Sequence, residues 1–280
     1  MSIFAKGWKP DLAEHIEACR LGVDGGEARC DEHNPRYADR HGERFGARAA
    51  KPPAYDGVFE FCDVRDQIFS SACVGFAITG ATGARLRKLR YNVGRFAPLV
   101  PYSGARQKEG IYKNKPLPDE GCHPYLAMAF VKQYGLVVEG LWPFLSEDYL
   151  KKVTQEVPFD VLLAASQFRV SSFSRIEDTG EARVEACKAA LLADHPVLIG
   201  MQVGAQFEAY RKGLGPVGVE TKNTGGHMTF LTGYEEDGDV FTGCNSWGLG
   251  YGDGGRYRIH RDKLTHSSTS DLYDFAVATP

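Results

Sequence analysis

The stretch QIFSSAC, Gln67 to Cys73, runs directly into VGFAITGATGARLRKL. A polar lead-in thus ends on a cysteine where an apolar pattern of helical period begins. Val74, Phe76, Ala77, Ile78 and Ala81, then Leu86 and Leu89, suit a buried helix, and RLRKLR (85–90) reads as its basic, solvated end. Gly75, Gly80 and Gly83 lower helix propensity and allow a neighbouring backbone to approach. A thiol at neutral pH is mostly protonated. The aligned amides of a helix start favour the thiolate, and a nearby imidazolium favours it further. Cys73 therefore reads either as a buried structural cysteine or as a nucleophile that needs a histidine.

Among eight histidines, His227 fits that need. Gly225 and Gly226 precede it and give backbone freedom, and MTFLTGY follows it as a strand-like run. Asn245 comes eighteen residues later, within CNSWG. An asparagine carbonyl can accept an imidazole N–H and fix the tautomer and orientation of a base. Trp247 could pack in the core, shield that hydrogen bond from water, or do both.

The bulk composition excludes other classes. A net charge of −3 gives no basic footprint for nucleic acid or an anionic membrane. No apolar run reaches the length of a membrane span, and the start, MSIFAKGWKPDLAEH, lacks the apolar region of a signal peptide. Seven cysteines, an odd number thinly spread, do not make a dense disulfide framework. The expected location is the cytoplasm or another reducing compartment.

Residues 1–51 form a charged, Gly- and Arg-rich extension with a short helix around Asp11 to Cys19. It is either an arm packed on the core or an inhibitory segment lying across an active site. Residues 52–280 form the main domain, helical over about 58–160 and β-rich over about 161–280. Helices are expected at 122–134, closed by Gly135, and at 181–194. HPVLIGMQV, HMTFLTGYE, DVFTGCNSW, GRYRIHR and LYDFAVAT read as strands. Helices first and strands later give an α+β protein with two lobes. Cys19, Cys30, His33 and His41 match no compact zinc motif, and His123 reads as a packed or surface residue rather than a ligand. His195, His260 and His266 flank strands as structural or exposed residues. Neither metal nor cofactor is expected.

VRDQIFSSACVGFA, GGHMTFLTGY and NSWGLGYGDGGRYRI resemble, in this order, the Gln, Cys, His and Asn segments of papain-like cysteine peptidases, the C1 family. PPAYD resembles the start of the mature enzyme and EGCHPYLAMAFVKQYGLVVEGLWPF its second helix, so the likeness covers roughly residues 52–280. It implies a helical left lobe, an antiparallel β-barrel-like right lobe and an active site in the cleft between them. It also implies Cys73 as nucleophile, His227 as general base and acid, Asn245 as its orienting partner and Gln67 as an oxyanion donor. The implied partner is a protein or peptide substrate.

The departures are informative. Ser70 and Thr221 stand where secreted relatives carry cysteines, and Cys122 loses its usual partner, as in a disulfide-free microbial-type branch. Tyr125 falls where the family has a glycine that pairs with substrate, and Gly226 replaces the usual Asn or Asp before the histidine. Gly200, Met201 and Met228 fall at the wall of the specificity pocket, implying an apolar preference there. The alternatives are a non-catalytic peptide-binding module and an acyltransferase or transglutaminase using the same thioester.

Overall fold

The computed structural model describes residues 6–20, 26–29, 54–109, 116–144, 149–165, 168–235 and 238–277. The N-terminal extension supplies a helix, α1 (Ala13–Arg20), and a short strand, β1 (Gly26–Arg29). Cys30, His33 and His41, which match no compact zinc motif, lie outside the described residues, as does the side chain of Cys19.

Three helices build the first lobe: α2 (Cys73–Lys88), α3 (Leu99–Glu109) and α4 (Pro124–Tyr134). The apolar run after Cys73 is buried as its spacing requires, with Val74, Ile78, Ala81 and Leu86 fully enclosed. The basic end of α2 is less solvated than its composition implies, because Lys88 and Arg85 reach Asp194, at 2.6 and 3.9 Å. α4 starts on Pro124, whose missing N–H costs nothing in a first turn, and ends on Gly135 at φ +98°. α3 gave no signal in the sequence reading. Its Pro101 sits in the first turn, where a proline does not break a helix. Gly104 lets α3 close on α4, since a Cβ there would lie 2.3 Å from the Phe130 ring. Two short helices, α5 (Tyr149–Val153) and α6 (Phe159–Ala165), complete the lobe.

The remaining elements are β2 (Val170–Ile176), α7 (Gly180–Leu192), β3 (Val197–Gly204), α8 (Ala205–Glu208), β4 (Asn223–Tyr234), β5 (Val240–Cys244), β6 (Arg256–His260), α9 (Arg261–Thr265) and β7 (Thr269–Val277). The sheet order is β1-β2-β7-β3-β4-β5-β6. All neighbours are antiparallel except β1 and β2, so the extension adds a parallel edge strand. The sheet is open, with β1 and β6 at its edges, where the barrel-like expectation implied closure. The fold is α+β.

The period of two along a strand divides the sheet into two cores. Leu198, Met228 and Phe230 face the helical lobe and join the core of α2, α3 and α4. Ile199, Met201 and Leu231 face the other way, onto α7, Phe207, Trp247 and Tyr257. The first core runs from α2 to the strand that carries His227.

Candidate active site

Cys73 is the first residue of α2 and is fully buried. The preceding turn is held by Asp119, whose carboxylate accepts the Ser71 N–H at 2.9 Å. Backbone amides of Met228, Gly7, Val74 and Cys73 itself lie against the sulfur and favour its thiolate. Cys73 therefore meets three chain segments: its own helix, the strand one residue past His227, and the N-terminal arm. Burial pushes its thiol up to about 12, against the pull of those amides.

His227 is also fully buried. Its Nε2–H donates to Asn245 Oδ1 at 2.8 Å, which leaves the lone pair on Nδ1. Nδ1 has no hydrogen-bond partner among the described residues. Trp247 stacks on the imidazole with centroids 4.5 Å apart, and Phe207 meets both rings edge-on. Burial pushes His227 down to about 4, the Asn245 bond opposes this, and the Lys6 charge adds to it. Thiol and imidazole are thus both neutral at pH 7 in this arrangement.

Gln67 is buried at the same corner. Its Nε2 donates to Ser70 O at 2.8 Å, and its Oε1 accepts the Ser246 hydroxyl at 2.6 Å. Its own amide donates to Ser246 O at 2.9 Å. Ser246, which sequence reasoning passed over inside CNSWG, ties the asparagine segment to the glutamine and sets which way the Gln67 amide faces. Ser246 N donates in turn to Asn245 Oδ1 at 2.8 Å.

The arm fills the cleft. Trp8 N–H donates to Gly226 O at 3.4 Å, Lys9 N–H to Cys122 O at 3.1 Å, and Cys122 N–H to Gly7 O at 2.9 Å. Gly7 has no room for a side chain, since a Cβ would lie 1.8 Å from Ser71 O. The Trp8 indole occupies a slot whose walls are Gly200 and Gly226; a Cβ on either would come within 2.7 Å of Trp8. At the end of the slot Trp8 Nε1 donates to Asp271 Oδ2 at 2.7 Å. Lys6 pairs with Glu208 at 2.6 Å, and Glu220 caps α8 beneath it through the amides of Gln206 and Phe207.

The sequence-expected binding residues separate. Gly200 and Gly226 line the Trp8 slot. Met228 packs into the core of the helical lobe while lending its amide to Cys73. Met201, paired with His227 in register, turns into the core behind the sheet. Tyr125 is buried on α4 with its ring stacked on His15, and the backbone that pairs with an extended chain is that of Cys122. Trp8 and Asp271 had no signal in the sequence, because 263 positions separate the two halves of that contact. Cys62, Cys73, Cys122, Cys187 and Cys244 are free thiols. Among the described residues no helix is long and apolar enough to cross a membrane.

Comparison with known proteins bears on the fold and the family. Residues 110–275 match the family model described as papain family cysteine protease. The chain is 35% identical over 106 residues to a gamete and mating-type specific protein A of Dictyostelium discoideum, covering 36% of this chain and 23% of that one. It is 26% identical over 213 residues to a cathepsin L-like protein of Caenorhabditis elegans, covering 73% and 57%. The chain thus spans about a quarter of the first relative and 57% of the second. Among solved structures, xylellain, a cysteine protease from Xylella fastidiosa, superposes with a TM-score of 0.72 at 16% identity, over 99% of this chain and 98% of that one. At that identity the likeness speaks to the fold. The family match covers more than half of the chain, and this chain belongs to the papain family of cysteine proteases.

Proposed function

We propose that this chain hydrolyses peptide bonds through Cys73, His227 and Asn245, and that residues 6–20 hold it latent. The observation that carries the reading is the imidazole itself: Nε2–H is bound to Asn245, Nδ1 is bare, and the next amide along the strand touches the Cys73 sulfur. Once the arm leaves, water and substrate replace Gly7 and Trp8. The desolvation that keeps both groups neutral falls, and the Lys6 charge departs. A proton then moves from Sγ to Nδ1, which gives a thiolate at a helix start beside an imidazolium.

The thiolate attacks the scissile carbonyl carbon, forming a C–S bond. The oxyanion takes hydrogen bonds from the Cys73 amide and the Gln67 side-chain amide. Collapse breaks the C–N bond as Nδ1–H protonates the leaving amine. Water, losing a proton to the same nitrogen, then attacks the thioester and frees Cys73 and the acid product. Residues 52–280 carry this chemistry, and residues 1–51 include the latch.

Two features favour a latch over a bound substrate. The arm presents an N–H of Gly7 to the sulfur, where a substrate would present a carbonyl carbon. It also fills the slot that a substrate side chain needs. That slot ends in the Asp271 carboxylate, which favours a bulky side chain with a donor at its tip. The reading is tested with an epoxysuccinyl inhibitor such as E-64 and a small peptide substrate. Cys73→Ala is expected to lose both labelling and hydrolysis. Labelling that survives the substitution excludes Cys73 as nucleophile. Labelling with no turnover in the arm-released chain favours a binding or acyl-transfer role.

A further inference from the structure

His123, at the start of α4, donates from Nδ1 to Pro10 O at 2.7 Å, which leaves Nε2 as its lone-pair nitrogen. Across from it stand two residues of the arm, Asp11 and His15. The His15 and His123 rings meet edge to face at 5.0 Å, and His15 Nδ1 lies 3.4 Å from Asp11 Oδ1. One donor atom from each of Asp11, His15 and His123 falls within 4.8 Å of the others. A fourth group points to a missing partner. Glu109, at the end of α3, has a side chain only 10% exposed, and its Oε1 is buried with no hydrogen-bond partner among the described residues. That oxygen lies 4.0 Å from His123 Nε2. A buried carboxylate oxygen without a hydrogen bond is costly, and a cation between Glu109 Oε1 and His123 Nε2 removes the cost.

We propose that Asp11, His15, His123 and Glu109 form a site for a divalent transition metal of the zinc class, clasping the arm to the helical lobe. Two imidazoles with carboxylates are a zinc, cobalt or nickel donor set rather than a calcium or magnesium one. The Nδ1–H to backbone carbonyl bond of His123 is the outer contact that metal-bound histidines commonly make. Tetrahedral zinc with bonds of about 2.1 Å sets its donors roughly 3.4 Å apart, so atoms now within 4.8 Å of one another draw in by up to about 1.4 Å on loading. Asp11 already accepts the Tyr125 amide at 3.1 Å and contacts Arg175 at 3.3 Å and the Tyr273 hydroxyl. A carboxylate has about four acceptor positions, enough to add a metal to these. The first two ligands belong to the arm and the last two to the helical lobe, so metal binding and arm seating are linked: each favours the other by the same factor.

Binding does not depend on the peptidase reading, and is measured on the full chain carrying Cys73→Ser, which also removes the thiol beneath the arm as a competing ligand. Titration with Co²⁺ is expected to give one site per chain, with visible bands of nitrogen and oxygen ligation and no thiolate charge-transfer band. His15→Ala and His123→Asn are each expected to weaken binding at least tenfold, and Glu109→Gln severalfold. His123→Asn keeps a donor for Pro10 O, so the site can be lost without losing that contact. Zn²⁺ is expected to slow amide hydrogen exchange over residues 6–20 at least tenfold. No saturable site below about 1 mM, binding undiminished in His15→Ala and His123→Asn, or arm exchange indifferent to bound Zn²⁺ overturns the proposal.

Discussion

The arm and the catalytic wall beneath it are held in different ways. The wall is apolar and closed: Cys73 and Met228 belong to one core, and Trp247 and Phe207, which pack on His227, belong to the other. The arm is fastened by one aromatic anchor and a set of chargeable contacts. Lys6 meets Glu208, Trp8 meets Asp271, and Asp11 meets Arg175 and Tyr273. Arg175 also binds Asp271 at 2.6 Å, so both carboxylates share one guanidinium. Burial and the neighbouring Asp11 push the Asp271 carboxyl up, and Arg175 pulls it back. A wall fixed by packing keeps its geometry when the cover leaves. A cover fixed by charges responds to pH, ions and single substitutions. The contrast is what the proposed latency needs.

The largest expected effect tests the wall. In an arm-released chain, His227→Ala should lower kcat/KM for a peptide substrate by more than about 10³, because base, acid and thiolate partner are lost together. A loss below tenfold would place the base elsewhere. Next, Gly7→Ala should raise hydrolysis by the full-length chain about 5–150-fold, because the new Cβ meets the Ser71 carbonyl and overpacking of this kind costs about 1–3 kcal/mol. Unchanged activity would mean that the arm seats without touching the turn before Cys73. Trp8→Ala should act in the same direction, with the gain read from labelling by an epoxysuccinyl inhibitor. Emptying a slot that buries an indole loses about 3 kcal/mol or more of arm docking.

The smallest effect separates positioning from binding. Ser246→Ala frees Gln67 Oε1 from its fixed donor and should lower kcat several-fold to tenfold while KM stays within twofold. An equal fall in affinity would make Ser246 a substrate contact instead.

Much of the wall was legible in the sequence and little of the cover was. Gln67, Cys73, His227 and Asn245 sit in local patterns, a helix start or a strand flanked by turns, and each pattern carries its own signal. With the family resemblance, those four positions could be picked out in order, and Trp247 with them. α3 was hidden because Pro101 looks like a breaker until its place in the first turn is known. The pairing of Cys122 with the arm was hidden because a pairing backbone has no side-chain signature. The arm reads as charged and irregular because its partners, Gly226 and Asp271, lie more than two hundred residues away. Such contacts depend on the folded sheet, and a segment that docks late need show no periodicity.

The central claim is that seating the arm keeps Cys73 and His227 neutral, and it is tested by the rate of Cys73 alkylation against pH. The sign follows from linkage. Seated, the pair holds one proton, on the thiol, between about pH 4 and about 12. Opened, it holds one proton, on the imidazole, until that ring titrates; above that point the open form binds fewer protons, so rising pH favours opening by up to about 1.4 kcal/mol per unit. Iodoacetamide labelling of Cys73, located by peptide mass, should be at least tenfold slower at pH 7 in the full chain than in Gly7→Ala. That gap should narrow as pH rises from 7 towards 10. Equal rates in the two chains, or a gap that does not change with pH, would contradict the account.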